Sequence, residues 1–520
     1  MRKLFFIFMM FGIILCGCNK TEISTQTPTQ NKPEGNVNVN PYIPTDTILS
    51  FSDELESKII TESTYDVSQY TKDAASDIKP YQLFGDGMCL QRDAINRIWG
   101  KASKTGFIAA EINGQVYYGT IKSREWEIYL PKMNAGGPYE LAIISESGRF
   151  VIKNVYIGEV YLCSGQSNME FRPQDAGTVL EDLYSSGCEN DKIRMLNLPV
   201  YNQEEPTIEL VNQIKWSSAN QNTIKAFSAV GYIFGKKMQE ELDCPIGLIS
   251  AAVGGTSIEF WLSQENVGKL SYKPFIDQSS DYNKLVMTPS LGYNGMLYPL
   301  SGLNVRGVVW YQGCSNAFGT EKYYDGALKI FMEQCRDMFN NKQLSFTVCE
   351  LARFGERPMA YSTVNEKINA VAKEDKYMVV ARNVDLGDWN DIHPKDKHEI
   401  GNRAAEETLR VFFKKNIAEP VNVKEYSFNS DGSVTVNLSC DAKLVNGKNG
   451  FEVNVNGKYT YDCTVTIDGN KITVKANGEI TSVRYGYICE MSDEIKADVS
   501  KMVTVYDNNG NPLDLFLISK

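Results

Sequence analysis

The chain has 520 residues, too many for one ordinary hydrophobic core, and roughly two to four domains are expected. Apolar residues make up 42% and charged residues 22%, an ordinary globular balance. A net charge of -11 argues against a nucleic-acid partner, because phosphate binding needs a basic footprint, and leaves a neutral sugar or a small ester open.

In chain order, Arg2 and Lys3 precede an apolar run from Leu4 to Leu15, too short to span a bilayer, which reads as the core of a signal peptide. It ends in Leu15-Cys16-Gly17-Cys18, which resembles the lipobox of bacterial lipoproteins. That resemblance implies a signal peptide over 1–17, lipid on Cys18, and an exported protein anchored in the cell envelope on its periplasmic or surface face. Plain secretion with cleavage nearby is the alternative. No other stretch is long and apolar enough for a membrane span. Residues 18–79 read as a tether or linker. Asn19 to Thr47 is rich in Thr, Gln, Asn and Pro, and 48–79, which admits a short helix or two, is left with it.

Twelve cysteines and two histidines are present. None of the cysteines is spaced C-x-x-C beyond the leader, so a structural zinc site is not expected. Export permits disulfides, whose pairing the sequence does not give. Cys163, in an apolar run, reads as a small core residue.

Over 80–155, short runs such as Ile108–Ile112, Val116–Tyr118 and Trp126–Leu130 alternate with turn signals, including Asn113-Gly114, and suggest a small β-sandwich. Over 156–415, buried strands alternate with helical patterns. Cys244–Gly255, Val305–Gly313 and Tyr377–Arg382 read as strands, Ala226–Leu242 and His398–Phe413 as helices. This is an α/β pattern: a mostly parallel sheet with helices on both faces. Over 416–520 strand texture returns and a second β-domain is expected.

Ligands of such sheets sit at the carboxyl ends of strands. Three strand ends carry small polar residues: Gly165-Gln166-Ser167-Asn168, Gly254-Gly255-Thr256-Ser257 and Gln312-Gly313-Cys314-Ser315-Asn316. Asp391-Ile392-His393-Pro394 follows later, before a helix. Ester hydrolysis calls for a serine, a histidine base, a carboxylate that fixes the ring, and donors for an oxyanion.

The motifs GQSNM, GGTSIEFW, WYQGCSNA and NDIHP, in that order, resemble the SGNH hydrolases, and more narrowly the sialate O-acetylesterase group of carbohydrate esterases. LFGDGMCLQRD and LPKMNAGGPYEL before them, and VRYGYICEM and VYDNNGNPLDLF after, extend the likeness from about Pro80 to Lys520. The resemblance implies a flavodoxin-like three-layer α/β/α catalytic domain flanked by N- and C-terminal β-sandwich-like domains. It implies Ser167 as nucleophile and His393 as base. The oxyanion hole would combine the Ser167 N–H, an N–H at Gly254 or Gly255, and an amide from Asn316 or else Gln312. Asn390 stands where the superfamily has Asp, so Asp391 is the candidate carboxylate, with Asp388 in reserve. Cys314 stands where the family usually has Glu. Trp389, in a polar loop, is the candidate for stacking on a sugar. Trp310 reads as core, and His398 as a helix-start or surface residue.

The expected activity is removal of acetyl groups from a sugar through an acyl-serine, with no metal or organic cofactor. The partners would be an acetylated sugar or glycan and, through lipid alone, a membrane. Acetylated xylan is the alternative substrate, and a non-catalytic glycan-binding lipoprotein the alternative class.

Overall fold

The computed structural model of the protein describes residues 49–72, 75–184, 187–211, 213–445, 450–487 and 499–520. The signal peptide, Cys18 and the tether up to residue 48 lie outside them. Among the described residues no helix is long and apolar enough to cross a membrane.

The described N-terminal strands pair antiparallel, except Cys89–Gln91, which runs parallel to Tyr156–Gly158. Strands Ala109–Ile112 and Gln115–Lys122 form a hairpin. Its turn residues Asn113 and Gly114 have φ of 51° and 72°, the pair of positive values that an Asn-Gly hairpin turn supplies at low cost. Strand Glu125–Leu130 pairs with Gln115–Lys122 and with Asn96–Ala102, and turns Trp126, Ile128 and Leu130 inward with period two.

The next long strand, β1 (Gly148–Gly165), unites two kinds of sheet. Its first part pairs antiparallel with Gly136–Ser145. Its second part is the centre of a parallel sheet with β2 (Asn190–Asn197), β3 (Ile246–Ala252), β4 (Gly307–Tyr311), β5 (Ser345–Cys349) and β6 (Met378–Ala381), in the order β2-β3-β1-β4-β5-β6. Every residue of β3, β4 and β5 is buried, as a parallel sheet covered on both faces requires. The boundary expected at 155/156 falls inside β1. One continuous core joins the N-terminal strands to the parallel sheet.

Four longer helices accompany the sheet: α1 (Ala229–Leu242), α2 (Tyr324–Met338), α3 (Pro358–Glu374) and α4 (His398–Phe412). α1 packs on α4, and α2 on α3. α1 starts three residues later than the sequence suggests because the Ser228 hydroxyl caps it, accepting the Gly231 N–H. The C-terminal region holds two four-stranded antiparallel sheets around a second core that includes Val434, Val436, Phe451, Ile472 and Tyr485.

The described residues between 49 and 79 touch the body of the protein at several points. Phe51 is buried beneath the Arg306 guanidinium, 4.6 Å from its ring. Ile60 bridges to Tyr118, and Tyr65 stacks on Phe107 at 4.7 Å. These contacts come from single apolar side chains scattered through a polar stretch.

Candidate active site

Strand β1 ends in the crevice between β3 and β4, where the chain, having built one side of the sheet, turns to the other. Gly165 has a φ of 143°, and a Cβ there would stand 2.2 Å from the Tyr311 carbonyl of β4, so glycine is required. Gln166 follows, its N–H donated to the same carbonyl. Ser167 then opens a one-turn helix, Ser167–Glu170.

His393 Nε2 lies 2.7 Å from Ser167 Oγ, across 226 residues of sequence. The ring is largely desolvated. Burial first, then the positive charge of Lys397, lower its pKa, and Asp391 opposes them. A histidine held neutral in this way is ready to accept a proton.

The loop carrying His393 is tied down from two sides. Asp391 Oδ1 accepts the His393 backbone N–H at 2.8 Å. The expected bond from Asp391 to the ring is therefore replaced by one to the main chain, because the carboxylate closes a local turn two residues back. Asp388 is likewise used locally, accepting the Asn390 N–H. Among the described residues no hydrogen-bond partner faces His393 Nδ1. From the other side, Asn168 Nδ2 donates to the Ile392 carbonyl at 3.0 Å, and Lys397 Nζ donates to Asn168 Oδ1 at 2.7 Å.

The expected amide donors stand elsewhere. Asn316 Oδ1 accepts from Ile258 N–H and Gln312 Nε2, while its Nδ2 faces the Glu259 carboxylate and Thr320 Oγ1. Gln312 Nε2 also donates to the Thr256 carbonyl, and its Oε1 accepts from Tyr324. Both amides are buried and committed to bracing the three strand-end loops against one another. Neither has a donor left for an oxyanion. Gln166 does similar work, its Oε1 accepting from the Gly313 N–H at 3.0 Å.

Gly254 is beside Ser167: a Cβ built on it would be 3.4 Å from the serine Cβ. Its N–H is donated to Glu170 Oε2 at 2.7 Å. Burial raises the Glu170 pKa, against the pull of that N–H and of Arg172. Gly255, at a φ of 77°, has its carbonyl held by Ser315 Oγ. A cleft of about 280 Å³ adjoins Glu170, lined also by Arg172, Asn197, Val200, Lys215 and Ser228.

Trp389 is half-buried. Its indole lies over Gly355, where a Cβ would clash, and it packs with Val499 and Met502. Trp310 and Trp261 are fully buried core. His398 sits at the start of α4 with its ring between Asp396 and Asp182, at 2.8 and 2.9 Å, and away from Ser167. Nine cysteines are free thiols, and Cys489 lies outside the described residues. Among the described residues no group of three or more His, Cys, Asp or Glu side chains is placed to hold a metal ion.

Sequence reasoning missed Glu170, Asn168 and Lys397. Asn168 and Glu170 lie within three residues of Ser167, and that proximity was the available signal. Lys397 gave none, set among Lys395, Asp396, His398 and Glu399 in what reads as a solvated stretch.

Residues 157–410 match the model of a family described as carbohydrate esterase, sialic acid-specific acetylesterase. The human sialate O-acetylesterase is 30% identical over 236 residues, covering 42% of this chain and 43% of that protein. The mouse sialate O-acetylesterase is 28% identical over 254 residues, covering 42% and 47%. The chain thus aligns with less than half the length of these curated relatives. Among solved structures, a carbohydrate acetylesterase from Xanthomonas citri superposes with a TM-score of 0.75 at 25% identity, covering 85% of this chain and 100% of that one. Over its α/β region the chain is thus similar to the sialate O-acetylesterase-like carbohydrate esterases, the group its four motifs resemble.

Proposed function

We propose that the protein is a carbohydrate O-acetylesterase with an SGNH-type catalytic sheet, working through an acyl-serine. The observation that carries this reading is the 2.7 Å contact between Ser167 Oγ and His393 Nε2. With the ring proton on Nδ1, Nε2 takes the serine proton as Oγ attacks the acetyl carbonyl. The Ser167 N–H and the Gly254 N–H receive the developing oxyanion, the Glu170 carboxylate moving off Gly254 as the acetyl group enters. The imidazolium then gives its proton to the departing sugar oxygen. Water, deprotonated by the same ring, attacks the acetyl-serine, and the ring returns the proton to Ser167 Oγ as the ester bond breaks and acetate leaves.

O-acetyl sialic acid is the first substrate we propose, on the strength of the family match, with acetylated xylan as the alternative. The cleft beside Glu170 is open to a sugar ring. Release of acetate from a panel of acetylated glycans, with Ser167→Ala as the control, tests both the reaction and the substrate. A wild-type protein that binds glycans but frees no acetate would favour the non-catalytic alternative. We also propose that the mature chain is an envelope lipoprotein anchored through Cys18.

A further inference from the structure

Lys397 is fully buried, yet among the described residues its ammonium pairs with no carboxylate. A lone buried ammonium is costly, and such a group persists in a fold when it has work to do. Nζ donates to Asn168 Oδ1 at 2.7 Å and lies 4.8 Å from the centre of the Phe171 ring, both on the segment that begins with Ser167. Cys314, from the turn after β4, faces Asn168 and Lys397, with Tyr361 of α3 behind it. Asp391 and Asp396, on its own loop, bear on it through space, as it does on His393.

The contacts form a chain. Lys397 donates to the oxygen of the Asn168 amide, which fixes which end of that amide is which. The Asn168 nitrogen is thereby turned toward the Ile392 carbonyl, at 3.0 Å. Ile392 precedes the base and Ser167 precedes Asn168. Lys397 thus stands behind both nucleophile and base, linked to their two segments through Asn168.

We propose that Lys397 is a positioning residue for the Ser167–His393 pair: it locks the Asn168 amide that clamps the His393 loop to the Ser167 turn, and its charge, when present, bears on the His393 ring from behind. This deepens the esterase reading and rests on it for its kinetic consequences, but not for its effect on the ring. Burial lowers Lys397 to about 7, with Cys314 and the two aspartates opposing. In the acid range where a histidine titrates, the lysine is therefore charged and acts on the ring. The sign follows: a cation beside His393 lowers the ring's pKa, so the neutral base survives to lower pH, and removing the cation raises it.

The test is Lys397→Met, which keeps length and removes the charge and the donor. The His393 ring is followed by NMR in a chain with two histidines, the second assigned by His398→Gln. The wild-type ring should titrate below ~6.5, and in Lys397→Met its midpoint should move upward. On a small acetyl ester, kcat should fall roughly 10–100-fold, the usual result of misplacing a catalytic pair, with KM nearly unchanged. The acid limb of kcat/KM should move up with the ring. An unmoved His393 titration, or a kcat within about threefold of wild type, overturns the proposal. Circular dichroism checks folding. Should Lys397→Met not fold, Asn168→Ala breaks the same clamp, and a kcat within about threefold of wild type overturns the proposal there too. If the wild-type protein cleaves no acetyl ester, the esterase reading fails while the titration still decides the influence of Lys397 on His393.

Discussion

Asn316 uses both ends of its amide, with two donors on its oxygen and Glu259 and Thr320 on its nitrogen. Truncating it would take one hydrogen-bond partner from a buried carboxylate and one from a buried glutamine amide at once. Asn316→Ala is therefore expected to lower unfolding stability by about 3 kcal/mol, read by urea unfolding, a larger effect than the loss of one neutral hydrogen bond. A variant as stable as wild type but catalytically dead would instead restore Asn316 as an oxyanion donor. Ser167 and His393 were legible in the sequence because few residue types can do their chemistry and the chain has two histidines. The direction of a side chain was not. Whether Asn316 faces the crevice or Glu259, and whether Asp391 meets the ring or the backbone of His393, depends on χ angles and loop geometry that no motif encodes. Lys397 was hidden for a related reason: charge in a polar stretch ordinarily means solvent, and burial here comes from Phe171, Cys314 and Asn168, which are distant in sequence.

At the scale of elements, the join within β1 depends on Glu159. It is fully buried and receives Arg306 at 2.7 Å, Arg92 at 2.6 Å and Gln91 at 2.8 Å, so that the N-terminal strands, β1 and the approach to β4 meet on one carboxylate. Burial pushes its pKa up, but Arg306 and then Arg92 and Gln91 outweigh burial and hold it below the ordinary 4.5. A carboxyl lowered on folding contributes stability that is present above its unfolded pKa and lost as pH falls through its folded one. Glu159→Gln should cost about 3–5 kcal/mol at neutral pH, because it leaves two guanidinium groups without their partner, and should flatten the acid limb of stability below that range. A loss under about 1 kcal/mol at pH 7 would mean that the cluster does not join the two regions. The buried strands β3 and β4 were legible as apolar runs ending in glycine, and the 109–122 hairpin from Asn113-Gly114. β5, α2 and α3 were passed over, because β5 mixes Ser and Thr with apolar residues and the two helices carry their polar faces through a region with no motif to anchor them.

For the whole molecule, the α/β centre and the strand-rich C-terminal region were legible from changes of texture along the chain, and the union of the N-terminal strands with the centre was not. The strand is half-exposed along its antiparallel start and wholly buried along its parallel end, and that change of pattern within one strand reads in the sequence as a boundary between two domains. The reach of residues 49–79 onto the body was hidden because single aromatic residues such as Phe51 and Tyr65 do not make a periodic pattern. The N-terminal proposal has its own check: Cys18→Ala should move the protein from the membrane fraction to the soluble fraction, and a variant that stays membrane-bound would contradict the lipid anchor.

Catalysis in this mechanism depends most on Ser167 and His393 acting as one unit. The direct measurement is acetate released from an O-acetylated sugar by the wild-type chain, Ser167→Ala and His393→Ala, each shown folded by circular dichroism. Wild type should release acetate, and both variants should lose the rate by roughly 10³-fold or more and to similar extents, because members of one catalytic unit fail together. A folded His393→Ala protein that still releases acetate at the wild-type rate would contradict the mechanism.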